Sequence, residues 1–131
     1  MSGALLDTSI VIQDAEPAGL GTQVAAAISV ITLGELRAGV RLARDPPVRA
    51  ARQARLAAIR NAFSPLPVDE AVAEHYGDVL GTARTAGRIT KATDLLILAT
   101  AAATGRVLWT LDERQAALAR EVGVAVAGGG G

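Results

Sequence analysis

The stretch ITKATDLLILATAAATGRVLWTLDE, residues 89–113, reads as a helix, a stop and a strand in succession. From Thr90 to Ala103 it is rich in alanine and leucine, strong helix formers, with Asp94 near the start. Gly105 ends the helix, because glycine takes the left-handed C-terminal conformation without a Cβ clash. RVLWT (106–110) is then almost continuously apolar, the pattern of a strand buried on both faces. A helix feeding a buried strand is the repeating unit of a parallel α/β sheet.

The same alternation extends outward. ALL (4–6) and AAISVIT (26–32) read as further buried strands, the second β-branched. A helix is expected from Leu33, with Leu33, Leu36, Val40 and Ala43 on one face, ended by Pro46-Pro47. An arginine-rich helix follows from Val48 to about Ala62, and SPLPV (64–68) reads as a short edge strand, where proline is tolerated. Asp69 caps a helix striped by Val72, Tyr76, Val79, Leu80 and Ala83, and Gly87 stops it. Glu113 to Glu121 is helical and VAVA (124–127) is a last short strand. Residues 13–25 contain Pro17, Gly19 and Gly21 and read as a loop or broken helix. The expectation is one α/β domain over 1–127, a mainly parallel central sheet flanked by helices on both faces, with a flexible glycine tail at 128–131.

Bulk properties bound the rest. The 131 residues suffice for one domain, and half of them are hydrophobic, so a sizeable core can form. No cysteine is present, which excludes disulfides and thiolate metal sites. No apolar run approaches the roughly 20 residues that span a bilayer, and no secretory leader is apparent, so a cytoplasmic protein without membrane contact is expected. Net charge is zero, but its distribution is uneven: −4 over residues 1–36, +6 over 37–60, −4 over 61–83 and +3 over 84–106. A neutral chain of this kind can still present a basic surface.

In open parallel sheets ligands bind at the carboxyl ends of the strands. Asp7 directly follows ALL, Glu35 lies three residues past Thr32 in the first turn of the helix expected after the second strand, Asp112 follows VLWTL two residues past Thr110, and Asp94 opens the long helix. Each acid alone has an ordinary role, since first helical turns favour carboxylates. Four together repel, and burying them without counter-charge costs several kcal/mol. Histidine and cysteine are absent from these motifs, so the natural neutraliser is a hard, oxygen-seeking ion, Mg²⁺ or Mn²⁺. Thr8, Ser9 and Thr110 supply hydroxyls able to orient the carboxylates. Such a site suits phosphoryl chemistry, in which the ion activates water and stabilises the leaving oxygen.

LLDTSIVI, ISVITLGELRAGV and ITKATDLLILATAAATGRVLWTLDE, in that order and spacing, resemble the PIN-domain ribonucleases, most closely the VapC-type toxins of bacterial toxin–antitoxin pairs. The resemblance covers residues 3 to about 126. By position it implies that Asp7, Glu35, Asp94 and Asp112 are the family's acidic metal-binding quartet, with Ser9 and Thr110 as supporting hydroxyls. It further implies Mg²⁺- or Mn²⁺-dependent endonucleolytic cleavage of RNA to 5′-phosphate and 3′-hydroxyl ends. The implied partners are an RNA substrate, a second copy in a homodimer, and a cognate VapB-type antitoxin that silences the toxin in a heterotetramer or larger assembly. One departure stands out: many relatives carry an acid or asparagine two residues past the fourth aspartate, and here Arg114 occupies that place. The number of metal ions is therefore left open.

Other residues carry weaker signals. Arg88, Lys91 and Arg37 are candidates for RNA contact, the first two because they flank Asp94. The seven arginines between Arg37 and Arg60 fit RNA phosphates, an acidic antitoxin or a solvated face equally well. Phe63, Tyr76 and Trp109 are the only aromatics, too few for base-stacking platforms, and Trp109 reads as core. His75 lacks a local partner that would mark it as a catalytic base. Alternatives are a non-catalytic PIN-like domain that binds RNA or antitoxin, a haloacid-dehalogenase-type phosphohydrolase and a phospho-receiver domain. The phosphohydrolase needs a second aspartate where Ser9 stands, and the receiver needs an acidic pair that is missing near the first strand.

Overall fold

The computed structural model describes residues 3–13 and 25–128. In chain order the elements are β1 (Ala4–Leu6), α1 (Thr8–Ile12), β2 (Ala26–Ser29), α2 (Val30–Leu42), α3 (Pro46–Ala62), β3 (Pro65–Leu66), α4 (Glu70–Thr85), α5 (Ala92–Thr104), β4 (Val107–Trp109), α6 (Glu113–Glu121) and β5 (Val126–Ala127). The five strands lie in the order β3-β2-β1-β4-β5, and every neighbouring pair is parallel. From β1 the chain runs outward to β2 and β3, then returns to the other side for β4 and β5. β1 and β4 thus flank the switch point, where ligands bind in this class of sheet. Leu6 pairs with Trp109, and the Asp7 N–H donates to the Trp109 carbonyl at 2.8 Å, so the residues leaving both strands emerge side by side.

Alternation along the strands divides the core. Leu5, Ala27 and Leu108 face α4, α5 and α6 through Val79, Leu95, Leu98 and Leu118. Ala4, Leu6, Ile28 and Trp109 face the other way, toward Ile10 and Val11 of α1 and Leu36 and Ile59 of α2 and α3. α5 buries Leu95, Ile97, Leu98, Ala99, Thr100 and Ala101 in an unbroken series apart from Leu96, as an internal helix must. Each large apolar side chain buried there contributes about 1.5–3 kcal/mol relative to exposure. Among the described residues no helix is long and apolar enough to cross a membrane.

Several boundaries differ from the sequence expectation. β2 stops at Ser29, whose hydroxyl accepts from the Ile31 N–H at 2.9 Å and starts α2. Val30, Ile31 and Thr32 are therefore the first turn of a helix rather than the end of a strand, despite their β-branching. Glu35 accordingly lies in the second turn of α2 and not the first. Pro46-Pro47 opens α3 as well as separating it from α2, since proline fits the first helical position. Pro65–Leu66 does form an edge strand, and Gly87 (φ 72°) and Gly105 (φ 64°) take left-handed conformations past α4 and α5. The stretch read as a loop or broken helix lies outside the described residues over 14–24, as do the last three glycines.

Three arginines of α3 donate to backbone carbonyls, Arg49 and Arg52 from exposed positions and Arg55 from a half-buried one. Arg49 Nε donates to the Ala43 carbonyl at 3.1 Å and Arg52 Nη1 to that of Gly39 at 2.8 Å, both near the carboxyl end of α2. Arg55 Nη1 donates to the Val11 carbonyl of α1 at 2.9 Å. These cations satisfy orphan carbonyls where the helix dipole is negative.

Candidate functional site

Asp7 leaves β1 at the N-cap position of α1, yet its carboxylate makes no capping hydrogen bond. Instead Ser9 Oγ donates to Asp7 Oδ2 at 2.7 Å and Thr110 Oγ1 donates to the same oxygen at 2.8 Å. Ser9 in turn accepts from the Leu111 N–H at 2.9 Å, and Thr110 accepts from the Asp112 N–H at 3.0 Å. Both hydroxyl protons are committed to Asp7, so the 3.3 Å approach of Ser9 to Thr110 is a contact rather than a further bond. This network stitches the end of β1 to the end of β4 and holds a carboxylate that is only 4% exposed. Asp7 Oδ1 is left for another partner.

Glu35 is held by a second hydroxyl chain. Thr8 Oγ1 donates to Glu35 Oε1 at 2.6 Å and lies 3.0 Å from Thr32 Oγ1. With the Thr8 proton given to Glu35, Thr32 is the donor to Thr8. Thr32 is fully buried and was not singled out in the sequence. The available signal was its spacing from Glu35, which puts both on one helix face once α2 begins at Val30.

Asp112 caps α6, its Oδ1 accepting from the Arg114 and Gln115 N–H groups at 2.9 and 3.3 Å. Asp94 sits in the first turn of α5. Burial, then the negative charges of Asp7, Glu35 and Asp112, raise its carboxyl above the ordinary aspartate range, with Lys91 pulling the other way. The fold thus brings Asp7, Glu35 and Asp112, all distant in sequence, within electrostatic reach of Asp94. Among the described residues, however, no three acid or histidine side chains are gathered closely enough to hold an ion between them. Gln115 joins two of the elements: its Nε2 donates to the Asp94 carbonyl at 2.8 Å, while its buried Oε1 has no partner among the described residues. A lone glutamine in a helix gave no sequence signal.

The candidate RNA contacts fare differently from one another. Arg88 forms an ion pair with Glu121 at 2.5 Å, supported by a second bond at 3.3 Å, and so ties the α4–α5 loop to α6. Lys91 is the exposed N-cap residue of α5. Arg37 is exposed on α2, but two residues from Glu35 on a helix means the opposite side of that helix. Two cavities border the acids: one of about 400 Å³ beside Thr110, Asp112 and Arg120, and one of about 450 Å³ beside Glu35, Ile12 and Arg55.

The donor chemistry fits a hard divalent cation. Of the charges acting on Asp94 three are carboxylates and only Lys91 is a cation, and Mg²⁺ needs only one or two direct carboxylates because it keeps several waters. A closed cage of three acids is not required.

Comparison with known proteins agrees with this architecture. The PIN-domain family model matches residues 4–121. Ribonuclease VapC4 of Mycobacterium tuberculosis (strain ATCC 25618 / H37Rv) is 40% identical over 91 residues, 70% of this chain and 69% of that protein. Ribonuclease VapC8 of the same species (strain CDC 1551 / Oshkosh) is 40% identical over 100 residues, 74% of this chain and 88% of that protein. Among solved structures, VapBC-5 from Mycobacterium tuberculosis, a member of the VapBC family of toxin–antitoxin systems, superposes with a TM-score of 0.80 at 31% identity over 96% of each chain. These matches set aside the haloacid-dehalogenase and receiver alternatives. The matched span holds all six helices, every strand but β5 and all four acids, and the chain belongs to the PIN-domain family.

Proposed function

We propose that this chain is a VapC-type toxin, a divalent-metal-dependent endoribonuclease held in check by a VapB-type antitoxin. The observation that carries the reading is the coupled acid site at the β1/β4 switch point, with Asp7 oriented by two hydroxyls and Asp94 crowded by three other carboxylates. Asp7, Glu35, Asp94 and Asp112 would hold Mg²⁺ or Mn²⁺. When bound, the ion supplies Lewis-acid charge and activates water for attack on an RNA phosphodiester.

The chain's own residues do the positioning. Ser9 and Thr110 fix the rotamer of Asp7, so that it presents Oδ1 rather than turning to cap α1. Thr32 and Thr8 do the same for Glu35. Asp112 keeps one oxygen on the α6 backbone, and the other would be its ligand to the ion. The relatives named as ribonucleases and the toxin–antitoxin neighbour support RNA as substrate and an antitoxin as partner. A homodimer, assembling with antitoxin into a heterotetramer or larger, completes the reading, with a cytoplasmic site of action.

The test is cleavage of cellular RNA by purified protein with Mn²⁺ or Mg²⁺, with 5′ ends mapped by sequencing. Asp7→Ala and Asp94→Ala are expected to lower cleavage more than about 100-fold, since loss of an outer-shell partner alone costs 10–100-fold. Both variants should keep the wild-type circular dichroism spectrum. Undiminished cleavage by both would sink the site; a wild-type chain that binds RNA or antitoxin but never cuts would favour the non-catalytic alternative.

A further inference from the structure

The segment between α4 and α5 displays an apolar side chain where folding has no use for it. Ile89 is 99% exposed, more than any other large hydrophobic residue among those described. Isolated exposed aliphatics are common, but this one directly follows a helix end that is closed by its own backbone. The Gly87 N–H donates to the Arg84 carbonyl at 3.0 Å and the Arg88 N–H to that of Ala83 at 2.8 Å, closing α4 in a Schellman motif. The Arg88–Glu121 ion pair then anchors the loop to α6. Ile89 is the first residue beyond these contacts, with its side chain fully in solvent.

Its surroundings suit a nucleic-acid strand. Ile89 borders a cavity of about 370 Å³ floored by Leu80, Ala83 and Leu95 and rimmed by Arg84 and Thr90. Lys91 follows at the N-cap of α5, one turn before Asp94, and Leu95 in the floor is the next residue after that acid. Arg84 and Lys91 are exposed and form no salt bridge among the described residues, unlike Arg88. The chain's three aromatics, Phe63, Tyr76 and Trp109, are all buried or half-buried, so none offers an open stacking face.

We infer that the α4–α5 loop is a seat for single-stranded RNA beside the acid site, with Ile89 packing on an unstacked base and Arg84 and Lys91 meeting the neighbouring phosphates. The inference rests on the ribonuclease reading above. In sequence-tolerant single-strand binding aromatic rings take the base face and cations the backbone; here an exposed aliphatic side chain would take the ring's place by apolar contact.

The experiment uses the full chain and a short single-stranded RNA spanning a cleavage site mapped for the wild type. Affinity is measured across a salt series in the non-cleaving Asp7→Asn background. Adding Ile89→Ser should weaken binding roughly tenfold, the apolar burial lost, with the salt slope unchanged, and Ile89→Leu should restore it. Adding Arg84→Gln with Lys91→Gln should flatten the dependence of log affinity on log salt by about 1.4, about 0.7 for each phosphate contact on a single strand. Unchanged RNA affinity for Ile89→Ser would overturn the seat. So would an effect seen instead as dissociation of a dimer in light scattering or as lost antitoxin binding, either of which assigns Ile89 to a protein interface. A wild-type chain that cleaves no RNA fails the ribonuclease reading itself, whereas cleavage with an indifferent Ile89 fails only the seat.

Discussion

Asp94 is where cost and use meet in a single residue. Its carboxyl is raised first by burial and then by Asp7, Glu35 and Asp112, so in the metal-free protein its charge opposes folding. A raised folded-state value means that this destabilisation is fully present above that value and fades as pH falls through it. Asp94→Asn should therefore be more stable than the wild type at neutral pH in the absence of metal, while losing cleavage. The difference in urea-unfolding free energy between the two should shrink as the pH is lowered. A gap that is absent at neutral pH, or that widens on acidification, would contradict this account. The position of Asp94 was legible in the sequence as an acid opening an apolar helix. That of Thr32 was not, because a β-branched run hid the helix start, and only Ser29's cap reveals it. Gln115 was equally silent, since its role depends on α6 docking against α5.

At the scale of elements, the arginine-rich α3 shows how composition misleads about partners. A run of cations in a helix read equally well as an RNA face, an antitoxin face or a solvated surface. The fold spends Arg49 and Arg52 on the carboxyl end of α2 and Arg55 on that of α1. Which carbonyls lie within reach depends on how α3 folds back on α2, a tertiary fact without local trace. Helix identity and stops were legible because Gly87, Gly105 and Pro46 impose them through backbone geometry alone. Replacing Arg49 and Arg52 together by alanine should lower stability by about 2 kcal/mol, roughly 1 per lost carbonyl contact, seen as a lower urea midpoint. Cleavage by the folded fraction should stay within about twofold of wild type. A large loss of RNA affinity with unchanged stability would instead return these arginines to a substrate face.

For the whole molecule, strand order decides where charge accumulates. Because the sheet reverses at β1, the residues leaving β1 and β4 are neighbours, and the acids of α2 and α5 are brought to the same edge. The sequence conveyed that acids follow strand ends and that Ser9 and Thr110 could orient carboxylates; the register Leu6 to Trp109 and the convergence of both hydroxyls on one oxygen of Asp7 came only with the fold. A structure that concentrates like charge should respond globally to a ligand that neutralises it. Mn²⁺ at ten times its dissociation constant stabilises a folded chain by about 1.4 kcal/mol, which for a domain of this size raises the melting temperature by about 3–6 °C. The shift should grow logarithmically with metal concentration and shrink as acid protonates the site. It should vanish in an Asp7→Asn, Asp94→Asn double variant, while raising NaCl to matched ionic strength should not reproduce it in the wild type. Equal shifts in wild type and double variant would mean that the ion binds elsewhere, and the four carboxylates would then be only a costly cluster of like charge.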